Sequence, residues 1–331
     1  MKMKKKLVLV LALMLACSLV LNACAKSTTK EESKTKTAAS TDAETDSKYP
    51  LEFDNYGRDI TITQRPQKVL ALGPNCTELL VALGLSDIII GTSLRNHSRG
   101  PLPEYATQYD KIPELNHSAA TREATISSGA DFIYGIDWEF GDSGLDIDEL
   151  ETYGMTTYMN AATTVEKQYQ EIRDIGKIFG VEEKAEAFIA DQKTRISAVQ
   201  DKISGQSKPN VLIYDSGNDG VFTCSGTNFE SLLIDMAGGK NVFGNITEKA
   251  WVTVSYEEVL AREPDVIVIH DYDSPSVKEK IAEIKANDML SQLECVKNER
   301  FVVIELESVL PGDRLAYSVE KLAKGFYPNL F

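Results

Sequence analysis

The chain has 331 residues, 43% hydrophobic and 26% charged, enough for two ordinary domains with a real core. Its formal charge is −15, four units more negative without the leading Lys2, Lys4, Lys5 and Lys6. Such a surface repels nucleic acid and anionic lipid, which excludes both as main partners, and an anionic small ligand would need a local basic site.

The chain opens with a basic "MKMKKK", an apolar run of 15 residues, "LVLVLALMLACSLVL", and then "LNAC". Over residues 1–23 this is a secretory signal layout. The run is too short for a retained transmembrane helix, and a polar stretch follows it. Leu-Asn-Ala-Cys resembles a bacterial lipobox and places lipidation at Cys24; Cys17 sits in a poorer box and would leave the apolar region too short. After Cys24, "AKSTTKEESKTKTAASTDAETDSK" holds no large apolar residue, so 24–48 reads as a lipidated N-terminus and flexible tether. An anchor plus a tether holds the body in water, extracytoplasmic, at a membrane surface. Cys76, Cys224 and Cys295 remain in the body, an odd number without metal-ligand spacing, each expected to be a small buried residue.

From residue 49, short β-branched runs alternate with helical patterns, which predicts parallel α/β units. "PLEFDNYGRDITI" reads as a hairpin turning at 55–59, and "KVLALG" (68–73) as a buried strand. "CTELLVALGL" is a helix ended by Gly84, and "DIIIGTS" (87–93), "ADFIYG" (130–135) and "MTTYM" (155–159) are further strands. Residues 163–205 are helical: a first helix ends near Gly180, and a second runs over 181–203 with Phe188, Ile196, Val199 and Ile203 as its apolar stripe. At 1.5 Å per residue the second helix spans roughly 35 Å, a stiff connection between two halves. The second half repeats the theme with strands at 210–217, 221–226 and 300–306. Its helix "NFESLLIDMAGGKNVF" is stopped by Gly238 and Gly239, and its last helix takes Asp313 as N-cap.

Two corners match. "REATISSGADFIYG" (122–135) and "EEVLAREPDVIVIH" (257–270) each place a glutamate, seven residues, an aspartate and then an apolar strand. The glutamates are Glu123 and Glu257, with Glu258 as a neighbour that could substitute.

With these stretches, "RPQKVLALGPNCTELLVALGL", "LIYDSGNDGVFTCSGTNFESLLIDMAGGKNVF" and above all "WVTVSYEEVLAREPDVIVI", the body over 49–331 resembles bacterial substrate-binding proteins of ABC importers. The group is the one that handles ferric siderophores, haem and vitamin B12. The resemblance implies an α/β fold of two similar lobes with mainly parallel sheets, 49–162 and 206–331, joined through 163–205 by one long α-helix, with the ligand cleft between them. It implies a monomer that carries a ferric siderophore, haem or cobalamin as transported ligand, without a permanently bound cofactor. Delivery would be to an ABC permease dimer with its cytoplasmic ATPase, and Glu123 and Glu257, one per lobe, would engage arginines of the two permease subunits.

Ligands of open α/β sheets sit beyond the carboxyl ends of the strands. Those ends offer Asn75, Arg95, Tyr134, Trp138, Tyr214, His270 and Tyr272, and the resemblance adds Trp251 and Arg314. Aromatic faces suit large flat ligands, and arginine donors suit anionic chelates. An alternative is direct Zn or Mn binding by His97, His270 and Asp313, since a related group uses histidines and a carboxylate, although its His-rich loop and Asp-x-His context are missing. A secreted lipoprotein enzyme is a further alternative. No Gly-x-Ser-x-Gly, phosphate loop or His-Glu-x-x-His is present, and Cys76, at a helix start, has no histidine base placed by the sequence. The expectation is a binding protein, not an enzyme.

Overall fold

A hairpin, β1 (Leu51–Asp54) with β2 (Asp59–Ile62), opens the structure, a computed structural model that describes residues 48–331 apart from Asp142 and Asn218. The expected signal peptide, Cys24 and all of the tether except Lys48 lie outside the described residues. Four strands follow, β3 (Val69–Leu72), β4 (Ile89–Thr92), β5 (Phe132–Ile136) and β6 (Thr156–Asn160), all parallel in the order β4-β3-β5-β6. The second half has β7 (Asn210–Tyr214), β8 (Ser216–Gly217), β9 (Val221–Cys224), β10 (Lys240–Asn241), β11 (Trp251–Val254), β12 (Val266–Asp271) and β13 (Phe301–Glu305). Of these, β10-β7-β12-β13 form a second parallel sheet of the same spatial order, and β11-β9-β8 a small antiparallel one. The fold is therefore α/β with two similar, mainly parallel sheets, as expected. Residues such as Leu70 in β3 and Val268 in β12 are wholly buried because helices cover both faces of each sheet.

Order reverses between β3 and β5 in one sheet and between β7 and β12 in the other. Those reversals open a crevice beyond the strands' carboxyl ends, where a ligand can enter without breaking a ladder.

Between the sheets run helices Val165–Phe179 and Glu182–Lys202. The first stops at Gly180, whose φ of 66° lets the amides of Gly180 and Val181 close back on Lys177 and Gly176. The second is continuous for 21 residues and contains neither Gly nor Pro. It buries Ala185, Ile189, Gln192, Ile196 and Val199, and Ile203 follows at its end; of the expected stripe only Phe188 is partly covered, and Ile189 beside it takes the buried position. Gln192 Oε1 accepts the Ala316 amide at 2.8 Å, and Arg195 pairs with Glu320, which ties this helix to the last one, Leu315–Phe326. Asp313 does not cap that last helix. Arg314 occupies the N-cap position without a capping side chain, because Asp313 points into the interior.

The two repeated corners have a common construction. Helix Arg122–Ser127 is capped by Thr121 and helix Tyr256–Arg262 by Ser255, each side chain accepting a backbone N–H two positions past the first helical residue. Glu123 and Glu257 are both the second helical residue, and both are exposed. Glu258 is engaged in a capping box with Ser255, so it is not equivalent to Glu257. At the other end of each corner, Asp131 accepts the amides of Gln67 and Lys68, and Asp265 accepts that of Asn210. Each aspartate thereby staples its strand to the start of the first strand of its parallel sheet, β3 or β7. The aspartates explain the repeat as architecture; the glutamates have no such task.

Cys76, Cys224 and Cys295 are free and buried. No helix among the described residues is long and apolar enough to cross a membrane.

Candidate functional site

A cavity of about 250 Å³ lies where the carboxyl ends of the two sheets meet. The N-terminal half contributes Ile136, Asp137 and Trp138 from the end of β5, and 160–163 from the end of β6. The C-terminal half contributes 227–229, Ala250, Trp251 and 309–311. Two larger hollows on the C-terminal half, of about 700 and 690 Å³, are lined from one half alone and away from the strand ends that face the other sheet. Of the expected ligand residues, Trp138 and Trp251 line the cavity, one from each half. Trp138 is 41% exposed, so its indole face is open to a ligand.

Trp251 is held from two directions. Phe222 stacks on it at 5.3 Å between ring centroids, and His270 meets it edge-on at 5.9 Å. His270 is wholly buried, with Nδ1 3.0 Å from Asp215 and Nε2 3.1 Å from Glu230. Burial works against its charge, but the Glu230 and Asp215 carboxylates overcome this and hold its pKa up at about 9. Tyr272 donates to Asp215 Oδ2 at 3.0 Å, and the buried Lys280 donates to the His270 carbonyl at 2.8 Å. His270 thus stands one layer behind the cavity wall and positions Trp251.

Asn75 and Tyr134 occupy a similar layer on the other side. Gly73 starts helix Pro74–Ala82 at φ 115°, where a Cβ would come within 2.9 Å of Asn75 Oδ1. Asn75 Nδ2 then reaches Asn160 Oδ1 at 3.0 Å and the Pro311 carbonyl at 2.6 Å, linking the two cavity walls. Asn160 Nδ2 in turn donates to Glu171 and to Tyr134 Oη, and Glu171 also accepts the Ala161 amide. Burial lifts the Glu171 carboxyl to about 7, against the hydrogen bonds from Tyr56 and Asn160 that favour its charged form.

Tyr272 stacks on His97 at 6.2 Å, and His97 lies 6.2 Å from Trp138, so three rings bridge the halves beside the cavity. Burial lowers the His97 pKa. Tyr214 is sealed in the core of the C-terminal half.

The arginines are elsewhere. Arg95 lies over the Tyr109 ring, donates to the Ile112 carbonyl at 3.2 Å and pairs with Glu114 at 3.5 Å. Arg314 is 3% exposed and spans the junction: it binds both oxygens of Glu78, donates to the Gly100 carbonyl at 2.7 Å and to Ser308 at 3.0 Å, and lies 3.4 Å from Glu307. Glu307 accepts Ser98 Oγ and the Arg99 amide from the other half. The expectation that Arg95 and Arg314 face the ligand gives way to these pairings, because an acidic chain supplies its own carboxylates for arginines to neutralise. Asp313 lies buried near Glu78 and its two oxygens receive no donor; burial and the Glu78 charge push its carboxyl well up.

These placements also dissolve the proposed metal triad. His97 is beside the cavity, both nitrogens of His270 are engaged by carboxylates, and Asp313 is at the junction. Among the described residues, no group of three or more His, Cys, Asp or Glu could hold a metal ion. Burial drives the Cys76 thiol well above its usual pKa, the opposite of an activated nucleophile.

Strand-end reasoning could have found Asn160, the last residue of β6, and 309–311, which come shortly after β13 as Trp138 comes after β5. The segment 227–229 is the cap and first turn of helix Phe229–Met236, and its place in the wall depends on the pairing of β9 with β11, which has no local signal.

Comparison with known proteins places this geometry in a family. The periplasmic binding protein family profile matches residues 69–307. An ABC transporter substrate-binding lipoprotein of Bacillus subtilis is 28% identical over 289 residues, covering 86% of this chain and 87% of its own length. A vitamin B12-binding protein of Photorhabdus laumondii is 27% identical over 205 residues, 62% of this chain and 70% of its own. Among solved structures, a periplasmic binding protein from Veillonella parvula superposes with a TM-score of 0.76 at 27% identity, covering 84% of this chain and 97% of that one. The chain belongs to the periplasmic binding protein family.

Proposed function

We propose that this periplasmic binding protein is the extracytoplasmic receptor of an ABC importer, anchored through Cys24, and that it captures a vitamin B12-like corrinoid between Trp138 and Trp251. The observation that carries the reading is the cavity itself. It joins both halves, presents one tryptophan from each, and is otherwise lined by small apolar residues, Phe229, the amides of Asn160 and Asn228, Thr163, Thr227 and a single carboxylate. A corrin ring edged with amides suits that lining: the indoles take its faces, and the amide and hydroxyl groups take its periphery. A ferric catecholate or a haem brings carboxylate or phenolate charge that would need the arginine donors committed elsewhere. At about 250 Å³ the cavity is smaller than the ~300–1,000 Å³ usual for ligand pockets, so a large ligand is gripped in part while the rest projects from the crevice.

In this reading the lobes are 49–162 and 206–331 with 163–205 between them, the protein is a monomer, and it performs no chemistry on its cargo. Glu123 and Glu257 are the delivery contacts. Each stands at the second position of a helix that starts beside the strand carboxyl ends, exposed and, among the described residues, without a side-chain hydrogen bond or ion pair. Matched charges on matched halves fit a two-subunit permease.

The test is titration of the purified body with cyanocobalamin, haem, a cationic ferric hydroxamate and an anionic ferric catecholate, followed by tryptophan fluorescence and ligand absorbance. Saturable cyanocobalamin binding is expected. Binding of haem or the catecholate in its place would overturn the corrinoid assignment, and binding of none of the four would overturn the receptor reading.

A further inference from the structure

We infer that Asp137 sets the charge of the cargo, so that the cavity admits neutral and cationic chelates and refuses anionic ones. The inference rests on the interlobe cavity being the ligand site and adds a selecting residue to it. Asp137 begins the turn Asp137–Glu139 directly after β5, between Ile136 and Trp138, and all three line the cavity. It is the one ionisable side chain among the described lining residues, and it forms no salt bridge there with Lys, Arg or His.

The acids directly behind it add no positive charge. Behind the N-terminal wall stand two further buried acids, Glu139, which accepts Ser93 Oγ and the Ala120 amide, and Glu171, which holds Asn160. Among the described residues, no cation lines the cavity. Arg95 pairs with Glu114, Arg99 with Asp271, and Arg314 with Glu78 and Glu307, while His270 sits between Asp215 and Glu230. Lys280 is buried against the His270 carbonyl, and Lys249, exposed next to Ala250, is not part of the lining. An anionic ligand would therefore shed water to meet a carboxylate with no cation in the lining to offset it, whereas a cation gains an ion pair at the same place.

The decisive comparison uses ligands that share one chelate and differ in the charge of a peripheral group. Wild type, Asp137→Asn and Asp137→Lys are titrated with cyanocobalamin, its monocarboxylic acid and an amine-bearing conjugate, at low and high salt. At an effective dielectric between protein surface and water, one charge should change affinity by on the order of tenfold, less at high salt. Wild type is expected to rank amine above neutral above acid, Asp137→Asn to compress the series, and Asp137→Lys to invert it. Asp137 is exposed, so melting curves should coincide and any change can be read as binding. If no corrinoid binds, the corrinoid assignment falls, and cationic ferrioxamine B against its succinylated, anionic form makes the same comparison on another chelate. A preference for the anion, a ranking unchanged by Asp137→Asn, or no binding of either chelate pair overturns the inference.

Discussion

Replacing Arg314 with Met should weaken the junction between the halves far more than it weakens ligand binding. The guanidinium is 3% exposed, binds Glu78 through two nitrogens, and closes on Glu307, Ser308 and the Gly100 carbonyl. Methionine fills similar space but leaves Glu78 and Glu307 as buried carboxylates without their cation. Removing one partner of a buried ion pair costs about 3–5 kcal/mol. Unfolding entropy near ~2.1 cal/mol/K per residue then translates this into a melting decrease of roughly 5–8 °C for a body of this size. Urea unfolding at pH 7 should give the same loss, and the gap to wild type should narrow in acid, where the stranded carboxylates take up protons. Arg314→Lys should fall between, since one ammonium cannot reproduce the fork. Affinity measured well below the melting range should change less than threefold. A melting decrease under about 2 °C, or a large affinity loss in a stably folded variant, would refute the placement of Arg314 at the junction.

Glu123→Arg and Glu257→Arg should each bind ligand like wild type yet support little uptake, and the double variant none, because like charges across an interface cost several kcal/mol; transport by the double variant at the wild-type rate would show that the glutamates are not delivery contacts. Glu171 should make stability fall with pH. Its folded pKa of about 7 lies above its ordinary 4.5, so the folded state holds the extra proton, and the stabilisation present below pH 4.5 is lost as pH rises through 7, up to about 3 kcal/mol. Glu171→Gln keeps an acceptor for Asn160 and the Ala161 amide, so urea unfolding between pH 5 and 8 should give a flatter profile than wild type; equal slopes would contradict the assignment.

The α/β class, the hairpin, the long helix and most strands were legible because periodicity and glycine stops are local. Tyr134 and Tyr214 show where that ends. Tyr214 ends β7 and Tyr134 lies in the middle of β5, which runs on to Ile136; a strand alternates its side chains, and in a sheet covered on both faces either direction is buried, so position along the strand does not reveal which residue meets the cleft. The arginines failed for another reason. A cation at a strand end looks like a ligand donor until its carboxylates are located, and Glu78 is 236 residues from Arg314. Trp138 was legible as a cavity residue because a residue just after a parallel strand has few other places to go, whereas Trp251 came from the family resemblance alone. The repeated corner was half legible: its spacing predicted a shared construction, but only the hydrogen bonds of Asp131 and Asp265 separate the staple from the exposed glutamates.

The most direct test of the interlobe cavity as the ligand site is an equilibrium titration of wild type, Trp138→Ala and Trp251→Ala with cyanocobalamin, read by ligand absorbance so that loss of a tryptophan does not bias the signal. Each indole supplies a stacking face from a different half, and truncating a central aromatic anchor typically costs about 2 kcal/mol or more, so each variant should bind at least tenfold more weakly. Both variants should retain cooperative unfolding. Wild-type affinity in both would place the ligand outside this cavity and contradict the account.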